Sequence, residues 1–507
     1  MAESKTPIVA AFVAALLVAT ACTATEEQVS KDTTATPGVT SAAPEPTTPP
    51  TTDAMPASPI ATNPGAESLG DPYVGSAGNG GYDVISYDLG LAWDPPTRNL
   101  EGETIIVATA TQDLGSFNLD LYSLEATAIT VDGQDATFSQ TDLELTVVPA
   151  TPIAEGSAFT AVINYEGTPA PAGGISATGP SGWHTLPDSI YVMGEPLSAL
   201  TYHPANDHPS DKATFTYRIT APTGQTAIAV GTLQDTVDNS DGTTTWFYDQ
   251  PFPQTTYLTT LMIGPFEVRE AGTSTSGVRI RNVFDREFAD AAEPVFARQA
   301  DMMDAFEPLF GPYPFDVYGS AVVDDIVGGA LETQTLSVFG RDIVGFSAFA
   351  EPIVAHELAH QWFGNAVSVE RWEDLWLNEG FASYAEALWE EAKDPAFGYQ
   401  DWIREIMSFS APLNSHVHRP PTDDLFSASV YLRGAFTLHA LRLEIGDGAF
   451  FELLRTWVET YGGANATTAD FETMAKDISG QDLDDLFEIW LRTDGLPAEL
   501  DGVSLER

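Results

Sequence analysis

The sequence predicts an α+β protein in which an antiparallel β-domain is followed by a mainly helical domain, behind a leader and a linker. Three observations carry this. A length of 507 residues exceeds what one ordinary core accommodates, so two folded domains are expected. Apolar and polar residues alternate early in the folded region, as at Phe215, Tyr217 and Ile219 and at Leu143, Leu145 and Val147. After Val268 the period lengthens, with Val295, Met302 and Phe306 at heptad-like spacing behind Pro294.

From the N-terminus, residues 8–20 (IVAAFVAALLVAT) are almost wholly apolar, preceded by Lys5 and followed by Ala21 and Cys22. The run is short for a membrane span and has the layout of a secretory signal, so residues 1–22 are expected to direct export. A small-residue run closing on a lone cysteine resembles the lipobox of bacterial lipoproteins, from which Ala19 and Glu3 depart. Cys22 is therefore a candidate lipid anchor at the cell surface, with plain cleavage to a secreted form as the alternative. It is the chain's only cysteine, which excludes an intrachain disulfide. Residues 23–70 are rich in Thr, Pro, Ala and Ser, lack an apolar period and read as a solvated linker.

Residues 71–268 form the expected β-domain, a sandwich or saddle-shaped sheet, with turn chemistry at Asp132-Gly133 and Asp241-Gly242. Residues 269–507 are expected to be mainly helical with a small sheet, residues 318–324 (YGSAVVD) reading as its buried strand. The 73 acidic and 21 basic residues give a formal net charge of -52, which repels phosphate backbones and argues against nucleic acid as a partner. Solubility is the plain reading of that acidity and adaptation to high salt the second. A monomer is expected.

The chemistry concentrates in residues 352–365 (PIVAHELAHQWFGN), a segment predicted to be helical between Pro352 and a cap at Gly364 and Asn365. His356 and His360 lie four residues apart, which puts both imidazoles on one helix face, with Glu357 beside them to act on a water. Glu379, after an intervening 18 residues, starts a second predicted helix and completes a His₂Glu set for one Zn²⁺. Such a set leaves a fourth position open, as a catalytic zinc requires; a structural zinc more often takes four protein ligands. His184, His203, His208, His416, His418 and His439 read as packed or surface histidines.

HELAHQWFGN, the 18-residue gap and LNEGFA are together similar to the aminopeptidase N family of zinc metallopeptidases, relatives of leukotriene hydrolase. PFDVYG before the site and EIWLRTDGLP near the end share the similarity. The resemblance implies a thermolysin-like catalytic domain behind the β-domain and hydrolysis of N-terminal residues from peptides with free N-termini. Residues 328–334 (GGALETQ) resemble the family's Gly-x-Met-Glu-Asn exopeptidase motif, which implies that Glu332 grips the substrate's α-ammonium beside Gly329 and Ala330. Leu331 and Thr333 replace the usual Met and Asn. Residues 193–196 (MGEP) resemble the family's Gln-x-Glu-Pro segment, with Met193 in place of Gln, and imply a second substrate-binding acid at Glu195. Tyr431, in SVYLRGA, resembles the family tyrosine that donates to the oxyanion. The chain resembles a short form without the large helical C-terminal domain, which implies a more open cleft. Two alternatives stay open: a zinc peptidase with endopeptidase activity, and a non-catalytic peptide-binding surface lipoprotein. Retention of Glu332 argues against the first, and of Glu357 and Tyr431 against the second.

Overall fold

The structure, a computed structural model, describes residues 63–141, 143–173, 181–345, 350–408 and 412–506. The leader and most of the linker lie outside the described residues. Residues 63–70, read as the end of that linker, are tied to the body: Gly65 N–H donates to the Ser116 carbonyl at 2.8 Å and Leu69 N–H to that of Gly78 at 3.0 Å.

Eight strands form the main sheet of the β-domain. Its strand β1 (Tyr82–Asp94) pairs antiparallel with Asn99–Ala110 and parallel with Lys212–Pro222. Tyr87, Leu89, Leu91 and Trp93 point inward at alternate positions. A bulge between Val84 and Ser86 resets the phase, so Tyr82 and Val84 also face the core and Ile85 is left exposed. A three-stranded sheet contains β2 (Phe117–Asp120) and β3 (Glu144–Val148), and a four-stranded sheet contains β4 (Ile190–Met193). All three sheets share one apolar core that includes Leu119, Val147, Trp183, Val192, Phe215 and Tyr217. This is the alternation seen in the sequence, realised as layered sheets.

The second region opens with a six-stranded mixed sheet rather than with helices. Strands β5 (Phe266–Thr273) and β6 (Arg279–Asp285) carry extended structure well past Val268. The sequence hid β6 because nearly its whole length is buried, so no period of two marks it. Two of its polar residues find partners in place. Arg281 donates to the Ala229 and Gly231 carbonyls, and Asn282 Nδ2 to Gln299 Oε1. The expected buried strand appears as Ser320–Val323 in the same sheet, whose edge is β7 (Ala330–Leu331).

The helices are α1 (Gln299–Phe310), α2 (Ala350–Ala359), α3 (Trp376–Lys393), α4 (Tyr399–Ser408), α5 (Gly434–Tyr461) and α6 (Thr468–Ser479), besides shorter turns. Their apolar faces meet in a core of Phe306, Trp362, Phe381, Trp457 and Phe471. The helix predicted to reach Asn365 stops as α2 at Ala359, and turns continue to Gly364, whose φ of 123° suits glycine. Among the described residues no helix is long and apolar enough to cross a membrane. Lys212 of the β-domain fastens the two regions together. Its ammonium donates to the Asn365 carbonyl at 2.8 Å, the Ala366 carbonyl at 3.0 Å and Ser368 Oγ at 3.1 Å.

Candidate active site

Helix α2 is buried along most of its length, which removes its histidines from solvent and holds them by packing. The His356 and His360 rings sit 4.6 Å apart between centroids. Glu379, in the first turn of α3, brings Oε2 to 3.2 Å from His356 Nε2 and 3.4 Å from His360 Nε2. The other ring nitrogens face away. His356 Nδ1 lies 2.9 Å from Glu386 Oε1, and His360 Nδ1 3.1 Å from the Phe363 carbonyl. With Nδ1 of each ring donating to those oxygens, both Nε2 lone pairs converge with a carboxylate on one point. Lone pairs meeting an anion at such distances need a cation between them. A His₂Glu set of this kind fits zinc and leaves room for a further ligand.

Three more acids surround that point. One oxygen each of Glu332 and Glu357 lies within 4.8 Å of a His360 nitrogen, and Glu195 stands in the same relation to Glu332 and Glu379. All are buried, and Glu195 Oε1 and Glu357 Oε2 have no hydrogen-bond partner among the described residues. Burial pushes Glu357 up to about 8, and burial followed by the charges of Glu332 and Glu379 raises Glu195 well above the usual range.

Glu332 follows the edge strand β7, which carries Ala330 immediately behind Gly329. Its backbone carbonyl accepts from Gln361 Nε2 at 3.0 Å and from Asn365 Nδ2 at 2.7 Å, so the segment after the metal helix grips the acid's main chain. Gln361 Oε1 also accepts from Thr335 N–H at 2.9 Å. Thr333, standing where the family motif has Asn, turns its hydroxyl to the Leu336 carbonyl and closes the local turn. Glu195 arrives from the β-domain just beyond β4, and Tyr257 from the same domain donates its hydroxyl to Glu332 Oε1 at 3.4 Å.

Tyr431 lies on a π-helical turn, Ser429–Arg433, that leads into α5. Its ring stacks on His356 at 6.3 Å with an interplanar angle of 13°. Such turns concentrate at functional sites. The buried Arg433 guanidinium fixes this one by donating to the carbonyls of Ser415, Ile489, Trp490 and Thr493. Close approach of α3 and α5 completes the arrangement: a Cβ on Gly434 would lie 3.0 Å from Gly380 Cα.

All the residues singled out from the sequence for metal binding and for the water's proton are thus brought together, as are Glu332, Glu195 and Tyr431. The remaining histidines lie elsewhere. His203 and His439 are buried, His208 faces Asp71, His184 stacks on Tyr191, and His416 and His418 face Asp494 and Asp374. Glu386, Gln361, Asn365 and Tyr257 were not singled out. Glu386 had a signal, since it follows Glu379 by two helical turns on the same face. Gln361 and Asn365 sit inside the motif itself, while nothing local marks Tyr257.

The peptidase family M1 domain profile matches residues 296–490, and the peptidase M1 N-terminal domain profile matches residues 84–258. Aminopeptidase M1-B of Oryza sativa subsp. japonica is 27% identical over 337 residues, and aminopeptidase N of Streptomyces lividans 28% identical over 338. Each alignment covers 61% of this chain, which spans only 38% of the length of either relative. The M1 zinc metallopeptidase from Deinococcus radiodurans superposes with a TM-score of 0.77 at 33% identity, covering 86% of this chain and 100% of its own. A mutant of that enzyme bound to a Tyr-Ser-Ala substrate superposes with a TM-score of 0.76 at 32% identity, covering 85% of this chain and 99% of its own.

Proposed function

Because the chain belongs to peptidase family M1, we propose that it is a zinc-dependent aminopeptidase acting on peptides with free N-termini. The observation that carries the exopeptidase reading is the acid pair Glu195 and Glu332, buried beside the His₂Glu set with one Glu195 oxygen unpartnered. Among the described residues no Lys or Arg pairs with either acid; two such buried carboxylates need a cation, and a substrate's α-ammonium supplies one. An internal peptide bond has none to offer, which disfavours endopeptidase action. The Tyr-Ser-Ala substrate of the Deinococcus mutant is of the same class.

His356, His360 and Glu379 would hold the zinc, which when bound supplies Lewis acidity to the scissile carbonyl and acidifies the attacking water. Glu357 takes that water's proton through its free Oε2 and delivers it to the leaving amine. Tyr431 donates its phenolic proton toward the carbonyl oxygen as negative charge develops there. Glu195 and Glu332 set the register, so that cleavage falls after the first residue. Gly329 and Ala330 offer the edge of the sheet to the substrate backbone. We further propose that the chain is exported, on the strength of its apolar leader, with Cys22 as a candidate lipid anchor.

Turnover of a panel of aminoacyl p-nitroanilides by zinc-loaded protein tests this. Release should vanish with chelator and return with zinc, and Glu357→Gln should lower kcat/KM by roughly 10²–10⁴-fold. N-acetylated peptides should resist cleavage. Bound zinc with no turnover of any free-amino substrate would overturn the proposal.

A further inference from the structure

The β-domain holds a second acidic cluster, in which Asp120 is buried and Glu144 half-buried, on elements that contribute nothing to the peptidase site. Asn118 and Asp120 lie two positions apart on β2 and so share a face, and Glu144 stands directly opposite Asp120 on β3. Phe117, Leu119 and Leu145 point the other way, into the apolar core. Asn79 joins the group from the segment before β1, its Nδ2 donating to Asp120 Oδ2 at 3.1 Å. Asn79, Asn118 and Asp120 are each 1% exposed.

Hydrogen bonding in this cluster is one-sided. Asp120 Oδ2 also accepts from Gly78 N–H at 3.0 Å and Asp207 N–H at 2.8 Å, whereas Oδ1 receives no donor among the described residues. The Asn79 amide nitrogen is committed to Asp120, and that of Asn118 donates to the Gly65 carbonyl at 3.3 Å, which identifies the opposite end of each amide as oxygen. Among the described residues neither Oδ1 has a donor, nor does either carboxylate oxygen of Glu144. Among the described residues no lysine, arginine or histidine pairs with Asp120 or Glu144.

Five buried acceptors on four residues, two of them carboxylates, therefore lack donors together. Several waters or protons acting together would be needed to answer all five, since a water donates two hydrogen bonds and a proton satisfies one oxygen. A dication with oxygen ligands satisfies the whole set and cancels both charges. We propose that Asn79, Asn118, Asp120 and Glu144 form a calcium site that ties the start of β1 to β2 and β3. Calcium is favoured over magnesium because it accepts an irregular set of carboxylate and amide oxygens, while magnesium retains waters in a strict octahedron. The absence of nitrogen or sulfur donors disfavours zinc. Burial raises Glu144 to about 7 and Asp120 well above its usual range, a cost that a bound cation removes.

The test uses the full chain, stripped of metal and reloaded with one equivalent of zinc. Calcium should raise its melting temperature by several degrees, and more than magnesium or sodium does at equal concentration. Tyr82, whose hydroxyl donates to the Asn118 carbonyl at 2.6 Å, should sensitise the luminescence of bound Tb³⁺, and calcium should displace it. Glu144→Gln should weaken both responses on the order of tenfold or more while peptidase kcat/KM is unchanged, since ligand charge sets affinity. As a measurement that needs no variant, wild-type protein dialysed against micromolar calcium should retain about one ion per chain by elemental analysis. Absence of bound calcium, or calcium and terbium responses unaltered by Glu144→Gln, would overturn the site. So would a melting temperature that rises on acidification from pH 8 to 6 with no calcium response, which would assign the cluster to protons.

Discussion

Glu386 offers the sharpest quantitative handle on the metal set. Its Oε1 lies 2.9 Å from His356 Nδ1, and the side chain is 13% exposed, so solvent scarcely competes for the bond. Glu386→Gln keeps volume and an acceptor but removes the charge; Glu386→Ala removes both. A hydrogen bond to a charged group contributes about 1.5–3 kcal/mol against about 0.5–1.5 for a neutral one. The amide should therefore cost roughly 1 kcal/mol of zinc affinity, or about fivefold. Alanine should cost about 10–100-fold, the range typical of a lost carboxylate behind a histidine ligand. Competition against a chromophoric chelator at fixed pH measures zinc affinity directly, with circular dichroism confirming that each variant is folded. The expected order is wild type, then Gln, then Ala. If the alanine variant binds zinc within twofold of wild type, Glu386 does not orient His356 and the reasoning fails.

Lys212 should leave a pH signature on stability, because burial pulls its ammonium down to about 7 from an unfolded value of about 10.4. Between those values the unfolded chain holds a proton that the folded chain has released, so this group makes stability rise with pH; Lys212→Met should flatten the Tm profile from pH 7 to 10, and parallel profiles would refute the assignment. Gly434→Ala should destabilise the protein by about 1–3 kcal/mol through overpacking against Gly380 and should lower kcat/KM as well, because Glu379 and Tyr431 flank that contact; denaturant melts and steady-state kinetics together check it.

The metal set was legible in the sequence because two of its members share one helix face and the third opens the next helix. Spacing along a helix converts directly into direction in space. Glu386 obeys the same geometry, and the pattern held it in plain view. Acids delivered from the β-domain obey no such rule. Glu195 could be placed only through a resemblance, and Tyr257, which touches Glu332, carries no local mark. Strand β6 escaped for a related reason: a strand buried on both faces has no alternation to betray it.

The same distinction accounts for the cluster at Asp120. Its four residues run from Asn79 to Glu144, with no spacing that a motif could capture. They meet because antiparallel register sets Glu144 opposite Asp120, and because Asn79 bonds across to that carboxylate. Sequence pattern reports chemistry well when one helix, or two consecutive ones, presents it. When ligands come from paired strands, register decides the constellation, and register is fixed by core packing far from the ligands. An excess of acidic residues blurs the signal further, since among 73 carboxylates no single one stands out until its burial and its missing donors are known. Among the described residues, unanswered hydrogen-bonding capacity singles out four acids. Glu195 and Glu357 show it at the peptidase site, and Asp120 and Glu144 show it in the β-domain.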